Sequence, residues 1–358
     1  MSTRRTLLIT GSSGLVGSEA VRHFAGLGWR VVGLDNNSRR DFFGPGGDTD
    51  PNLAALRRDV PDFRHVELDV RDQPGIRRLV ERTAPDAVVH SAAQPSHDLA
   101  RDRAHDDFAT NAVGTLNLLE AARSACPEAP FAFLSTNKVY GDAPNRLPRI
   151  ETETRFDFAR QEDRAGISED FSIDRSMHSL FGVSKTSADL LVQEYGRYFG
   201  LPTVCLRAGC ITGPNHAGVE LHGFLSWLVR CAVAGDKYTI FGHLGKQVRD
   251  QIHAYDVCTA IEHWVAAPGS GDVYNLGGGR GSNASVLECV ALLEELLDRP
   301  VSVRYDPRSR VGDHICYITD LRRFRAAHPD WSLSRTLPEL IEELVHAEHA
   351  APVKALAV

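Results

Sequence analysis

Short apolar runs alternate with longer amphipathic stretches through the first two-thirds of the chain. That alternation restricts the fold more than any other feature of the sequence. The apolar runs are Thr6–Thr10, Arg30–Leu34, Phe63–Leu68, Ala87–His90, Phe131–Ser135, Thr203–Leu206 and Lys237–Phe241. Helical patterns lie between them, near 15–27, 74–83, 101–125, 179–199 and 222–234. Strands this short and continuously apolar are buried on both faces, as happens when each is followed by a helix that returns the chain to start a parallel neighbour. The expected class is α/β, a doubly wound parallel sheet. After about residue 257 the pattern becomes mixed, with helices near 256–266, 284–297 and 336–348 and short strands at Asp272–Leu276 and Val301–Tyr305. This part reads as a smaller α/β domain over the carboxyl edge of the sheet, where open α/β folds bind ligands. The expected division is 1–205, joined by roughly 237–258, then 206–345, then a tail at 346–358.

Two stretches fall outside the alternation. Asn37–Arg58 is polar and rich in Gly and Asp, and reads as a loop. Asp142–Ser176 is highly charged and longer than ordinary connections, so it reads either as a lid over a ligand or as a solvated insertion.

Charge and cysteine content narrow the functions available. The 358 residues include 40 Lys+Arg and 47 Asp+Glu, a formal net charge of −7. A general nucleic-acid binder needs a basic face to displace phosphate counterions, so nucleic-acid partners are not expected; a small phosphate-bearing ligand, held by a few arginines, is compatible. No run approaches the ~20 apolar residues that span a bilayer, and Leu7-Leu8-Ile9 is too short for a signal-peptide core. The seven cysteines form no CxxC pair, and the histidines show no HxxxH or HExxH spacing. Neither a disulfide framework nor a metal site is indicated, and a cytoplasmic enzyme is expected.

Gly11-Ser12-Ser13-Gly14-Leu15-Val16-Gly17 directly follows the first strand and opens a helix. Glycines there permit a tight turn and let backbone approach a pyrophosphate at the amide-rich end of the helix. The second strand ends at Asp35, 24 residues after Gly11, where a carboxylate would accept both ribose hydroxyls and repel a 2′-phosphate. This favours NAD over NADP, although Arg39 and Arg40 follow closely. Asp69-Val70, after the third strand, suits the adenine edge. The sheet is therefore expected to be of the Rossmann type.

With these motifs the chain resembles the extended short-chain dehydrogenase/reductase family, particularly its nucleotide-sugar epimerases. The resemblance is carried by Gly11–Gly17, Asp35-Asn36, His90-Ser91-Ala92-Ala93, Asn111-Ala112-Val113-Gly114-Thr115, Ser135–Gly141, Lys185, Arg249-Asp250 and Arg310-Val311-Gly312-Asp313. Within the family, Ser135–Asp142, Glu151–Arg155, His178-Ser179 and Gly245–Asp250 look most like the CDP-paratose (CDP-tyvelose) 2-epimerase branch. The resemblance implies bound NAD that takes a hydride from a sugar carbon and returns it to the opposite face. It assigns to that cofactor Gly11, Gly14, Leu15, Val16 and Gly17 in the loop, and Asp35, Asn36, Ser38 and Arg39 after the second strand. It further assigns Asp69 and Val70, then Ala92, Ala93, Gln94, Asn111, Ser135 and Lys185. The implied substrate is a nucleotide-diphosphate sugar, touched by Thr136, Asn137, Lys138, His178, Ser179, Cys210, Arg249, Arg310 and Asp313. Of these, Arg249 and Arg310 would hold the pyrophosphate. A homodimer packed through the helices near 101–125 and 179–199 is also implied.

The implied catalytic set is Thr136, Lys185 and a tyrosine four residues before that lysine, and here the chain departs: position 181 is Phe. Phenylalanine keeps the ring but has no ionisable oxygen. Phe181 reads as an engineered change, as a natural variant whose proton is moved by His178, Lys138, His97 or a water, or as the mark of a protein that binds a nucleotide sugar without transforming it. A dehydrogenase or decarboxylase on the same fold is a further reading. Sugar-nucleotide 4,6-dehydratases carry Thr-Asp-Glu where this chain has Thr136-Asn137-Lys138, so dehydration is disfavoured. Cys210 stands where many relatives carry an Asn that touches phosphate.

Overall fold

The structure, a computed structural model, describes residues 4–220, 222–309 and 312–350. Its centre is a seven-stranded sheet. The first five strands in chain order are β1 (Thr6–Thr10), β2 (Arg30–Asp35), β3 (Arg64–Glu67), β4 (Ala87–His90) and β5 (Phe131–Thr136). Across the sheet the order runs Asp272–Leu276, Thr203–Ala208, β5, β4, β1, β2, β3. Every neighbouring pair is parallel. The winding reverses between β1 and β4, which creates a crevice at the carboxyl ends of those two strands.

Burial explains why the strands are so uniformly apolar. Leu7, Leu8 and Ile9 are all fully buried, with Leu7 and Ile9 in one apolar layer and Leu8 in the other. On the first face lie α1 (Leu15–Gly26) and the helix Ala254–Ala266, whose Trp264 is fully buried with its indole N–H donating to Asp272 at 2.8 Å. Truncating a packed aromatic of this kind costs about 3–5 kcal/mol. On the second face lie the helices Gln73–Thr83, Gly114–Ala125 and Ser179–Phe199.

The structure corrects several sequence-based expectations. Asp272–Leu276, expected in the smaller domain, is the edge strand of the main sheet. Tyr238–Phe241, expected to return to that sheet, pairs instead with Val303–Asp306. An apolar run reveals burial but not which strand will lie beside it. Asn37–Arg58 is not a loop: it holds helices Ser38–Phe43 and Asp50–Asp59 joined by a tight turn. The Asn37 side chain knots this excursion, accepting from Thr49 N at 3.0 Å and donating to Asp48 at 2.8 Å. The pattern near 101–125 is not one helix but several pieces, including a π-helical turn at Ala109–Val113.

Asp142–Ser176 is not a lid. It forms a small hairpin, Arg149–Glu151 with Phe156–Phe158, anchored to later parts of the chain by Lys246–Glu151 and Arg280–Asp157 pairs, each at 2.8 Å. None of its residues lines the cavity described below. Among the described residues no helix is long and apolar enough to cross a membrane, and no cluster of His, Cys, Asp and Glu could hold a metal ion. The seven cysteines are unpaired. The tail at 351–358 lies outside the described residues.

Candidate active site

The carboxyl ends of the central strands open onto a cavity of about 470 Å³. At one end the glycine loop forms its floor. Gly11 has φ +68°, and a Cβ there would come within 2.8 Å of the Ala92 nitrogen. At Gly17 a Cβ would lie 2.0 Å from the Gly11 carbonyl oxygen, so only glycine lets α1 pack against its own loop. Gly14 precedes α1 with no side chain to cap its first amides, and a helix start of this kind receives an anion. Beside it the buried hydroxyls of Ser12 and Ser13 have no hydrogen-bond partner. A Cβ-free cradle and an uncapped helix start together fit a dinucleotide pyrophosphate.

Asp35 ends β2 at the cavity wall. Its carboxylate accepts from the amides of Ser13 at 3.0 Å and Asn37 at 2.8 Å, which fixes it while leaving acceptor capacity for ribose hydroxyls. Leu15, Val16, Asn36, Ser38, Asp69, Val70, Ala92 and Ala93 line the same region, with Asn36 donating to Asp69 at 2.9 Å. The two arginines that left NADP open both have protein partners, although Arg39 itself lines the cavity. Arg39 donates to the Ala217 carbonyl at 2.6 Å, and burial pushes its guanidinium down to about 10. Arg40 pairs with Asp48 at 3.6 Å.

Three predicted cofactor residues do not present their side chains to the cavity. Asn111 lies behind the wall in the π-helical turn, exchanging hydrogen bonds with the Gln94 backbone at 2.9 and 3.0 Å and donating to Ser184 at 3.0 Å. Gln94 is itself fully buried and donates to Asp107 at 2.8 Å. Ser135 reaches the cavity wall, but its hydroxyl donates to Asp189 at 2.5 Å, the carboxylate that also pairs with buried Arg207 at 2.9 Å.

Thr136, Phe181 and Lys185 all line the cavity. Lys185 and Phe181 stand one turn apart on the helix Ser179–Phe199. The ammonium donates to the Leu134 carbonyl at 2.7 Å and sits 4.1 Å above the Phe133 ring. Burial pushes it down to about 8, with Asp189 and Asp107 opposing. Thr136 Oγ1 accepts from the Lys138 amide at 3.2 Å.

At the far end, Asn137, Lys138, Cys210, Arg249 and Asp313 line the cavity. Arg249 Nη2 and Lys138 Nζ both approach Oδ1 of Asp313, at 2.7 and 3.2 Å. Desolvation alone would raise that carboxyl; the neighbouring Arg249 and Lys138 charges hold it well below the usual range. Burial lowers Lys138 and pushes the Cys210 thiol up to about 11, so the thiol stays protonated. Arg310 lies outside the described residues.

His178 and Ser179 are not among the cavity-lining residues. His178 turns inward, with Nε2 at 2.8 Å from the Val139 carbonyl and Nδ1 at 3.1 Å from that of Ser176. Conversely, Gln247 and Gln251 line the cavity beside Arg249 and were not singled out from sequence. Alternation along Val248–His253 places 247, 249 and 251 on one face, so the signal was present. Asp250, on the other face, accepts from the amides of Gly279 and Thr319 instead.

A model of the NAD dependent epimerase/dehydratase family matches residues 7–277. The chain belongs to that family. NAD is its cofactor, in keeping with the cradle described above. A CDP-paratose 2-epimerase from Salmonella typhi is 33% identical over 334 residues, 91% of this chain and 94% of that protein. A dTDP-glucose 4,6-dehydratase from Neisseria meningitidis is 30% identical over 90% of this chain and 87% of its own length. Among solved structures, a UDP-glucose 4-epimerase from Thermus thermophilus in complex with NAD superposes with a TM-score of 0.76. It is 25% identical, with 97% of this chain and 100% of that one covered. Epimerases and dehydratases thus both stand among this family member's relatives.

Proposed function

We propose that this chain is a nucleotide-sugar epimerase acting by transient oxidation, similar in its residue choices to the CDP-sugar 2-epimerases. The observation that carries this reading is the far wall of the cavity. Eliminating water from a sugar needs an acid for the leaving hydroxyl and a base for the neighbouring carbon. At the two positions where the resembling dehydratases carry that carboxyl pair, this chain has Asn137, which cannot titrate, and Lys138, tied to Asp313 at 3.2 Å.

Bound NAD supplies a nicotinamide ring that accepts a hydride from a sugar carbon and gives it back. Gly11, Gly14 and Gly17 admit its pyrophosphate, Asp35 takes the ribose hydroxyls, and Lys185 holds the nicotinamide ribose. Thr136 orients the reacting sugar hydroxyl. Arg249, with Lys138, neutralises the substrate diphosphate, for which a guanidinium offers two-point contact. Phe181 occupies the position of the usual tyrosine.

The reading is tested by incubating the protein with CDP-, UDP- and GDP-hexoses and following product stereochemistry together with absorbance in the reduced-nicotinamide band. Inversion at one carbon without net absorbance change is expected. Sustained release of reduced cofactor would overturn it in favour of a dehydrogenase or decarboxylase. Phe181 favours one second reading, a protein that binds a nucleotide sugar without altering it. That reading wins if both the parent chain and Phe181→Tyr bind such a sugar and transform none.

We also propose a homodimer. Leu180, Val183, Leu190 and Tyr198 lie along one face of the helix Ser179–Phe199 and are exposed by 48%, 46%, 44% and 79%. An apolar stripe of this kind on a soluble fold is a docking face.

A further inference from the structure

The strand Val248–His253 carries a second polar side chain on the face that holds Arg249. Gln251 is 2% exposed and lines the cavity, and its Nε2 has no hydrogen-bond partner among the described residues. We propose that Gln251 is a substrate-binding residue whose side-chain N–H donates to the substrate diphosphate beside Arg249. The proposal rests on the nucleotide-sugar reading and adds one contact to it.

The backbone holds this side chain in a fixed place. Val248–His253 pairs with Cys210–Thr212, which sets Gln251 opposite Cys210. The backbone amide of Gln251 donates to the Ser282 carbonyl at 2.8 Å. Its carbonyl oxygen lies so close to Gly278 that a Cβ there would come within 2.1 Å. Alternation along the strand puts Arg249 and Gln251 on one face, with about 7 Å between their Cα atoms. Two long side chains at that spacing can reach one diphosphate together.

Neighbouring donors on this wall are engaged. Gln247 donates from Nε2 to the Phe241 carbonyl at 3.0 Å. Arg249 donates to Asp313 at 2.7 Å and to the Val248 carbonyl at 2.8 Å. Lys138 donates to Asp313 and to the Gly312 carbonyl, both at 3.2 Å. Cys210, opposite Gln251, offers only a thiol, a weak donor. A carboxamide enclosed by protein without a partner costs stability that an apolar side chain of the same shape would not. Its retention is explained when a ligand completes it. A phosphate oxygen seated against Arg249 accepts and cannot donate, so it answers an N–H and not a carbonyl. A neutral donor also adds attraction without the repulsion that a third cation would bring beside Arg249 and Lys138.

Calorimetric titration with CDP, UDP and GDP, and then with the matching hexose conjugates, tests the proposal in the parent, Gln251→Met, Gln251→Glu and Cys210→Asn/Gln251→Met. Gln251→Met should weaken whichever nucleoside diphosphate the parent binds by about 10–100-fold. Gln251→Glu, which keeps the shape but sets a negative charge against phosphate, should weaken it further. Without ligand, Gln251→Met should melt no lower than the parent, because no protein partner is lost. Asparagine at 210 brings a carboxamide to the same face from the adjoining strand, and should recover part of the lost affinity. Equal binding by the parent and Gln251→Met overturns the assignment, as does Gln251→Glu binding as tightly as the parent. A loss seen with the hexose conjugates but not with the nucleoside diphosphates also overturns it, moving the contact to the sugar. A lowered Tm for unliganded Gln251→Met with no recovery from Asn at 210 shows a structural amide and overturns it too. A parent that binds no nucleoside diphosphate removes the nucleotide-sugar reading itself. Should Gln251→Met not fold, Gln251→Glu decides alone.

Discussion

Arg249 and Lys138 meet on a single oxygen of Asp313, at 2.7 and 3.2 Å. Two cations that would otherwise repel are thus held side by side at the place where a diphosphate is expected to sit. Asp313→Asn keeps the shape and removes the charge. The unliganded variant should melt at a lower temperature than the parent, and inorganic diphosphate should raise its Tm by more. The pH dependence carries a sign: a carboxyl held well below its ordinary value stabilises the fold above that value and loses the contribution as pH falls through the folded pKa. The acid limb of a Tm–pH curve should therefore be flatter for Asp313→Asn. Equal diphosphate shifts in both proteins would refute the competition.

Lys185 exacts a cost at neutral pH. Its ammonium is pushed down to about 8 by burial, so between that value and the ordinary lysine range the unfolded chain binds more protons than the folded one. Stability should rise with pH across this window. Lys185→Met should remove that rise and stabilise the protein near pH 7 by about 1–3 kcal/mol, less whatever the abandoned Leu134 carbonyl costs, while eliminating sugar oxidation. Urea unfolding at neutral and alkaline pH measures both effects, and a destabilised Lys185→Met at pH 7 would contradict the sign.

Asp189 is fully buried and receives Ser135 at 2.5 Å, Gln193 at 2.6 Å and Arg207 at 2.9 Å. Asp189→Asn strands a buried guanidinium. The expected loss is about 3–5 kcal/mol, visible as a large drop in Tm. Ser135→Ala, which leaves the ion pair in place, should cost no more than about 1–2 kcal/mol. Similar losses from the two substitutions would show that stranding the Arg207 charge is not what destabilises Asp189→Asn.

The exposed face of the helix Ser179–Phe199 should bury a second copy of the chain. Val183→Glu/Leu190→Glu is expected to shift sedimentation from dimer to monomer while leaving the monomer folded by circular dichroism. A parent chain that is already monomeric at micromolar concentration would dispose of the dimer.

The legible parts of this molecule are those where residue type itself records a constraint. Gly17 is readable because no Cβ fits 2.0 Å from the Gly11 carbonyl, and Asp35 because a carboxylate closes an apolar strand. The helix Ser179–Phe199 is legible to its termini because apolar residues recur along its whole length, even though its buried face also holds Lys185, Asp189 and Gln193. The excursion after β2 is not legible as helices, because its order comes from the side chain of Asn37 reaching Asp48 and Thr49, not from any local period. His178 was expected to face the substrate. Its inward turn depends on carbonyls of Val139 and Ser176, which sequence does not place. The partner of Tyr238–Phe241 is likewise invisible in sequence, since an apolar strand suits several neighbours equally.

The knotted excursion after β2 does more than decorate the sheet edge. Asn52 donates to the Ser13 carbonyl at 2.9 Å and to that of Asn215 at 3.0 Å, and Arg39 reaches the Ala217 carbonyl. These bonds lash the glycine loop to the segment facing it across the cavity. We propose that a dinucleotide in the cradle is released only when several of these hydrogen bonds open together, so that local unfolding slows its departure. On the proposed epimerase reading, electrons are borrowed and returned within one catalytic cycle, which calls for a long residence time and not for exchange with free cofactor. On this account the dinucleotide should survive gel filtration and dialysis as a prosthetic group would.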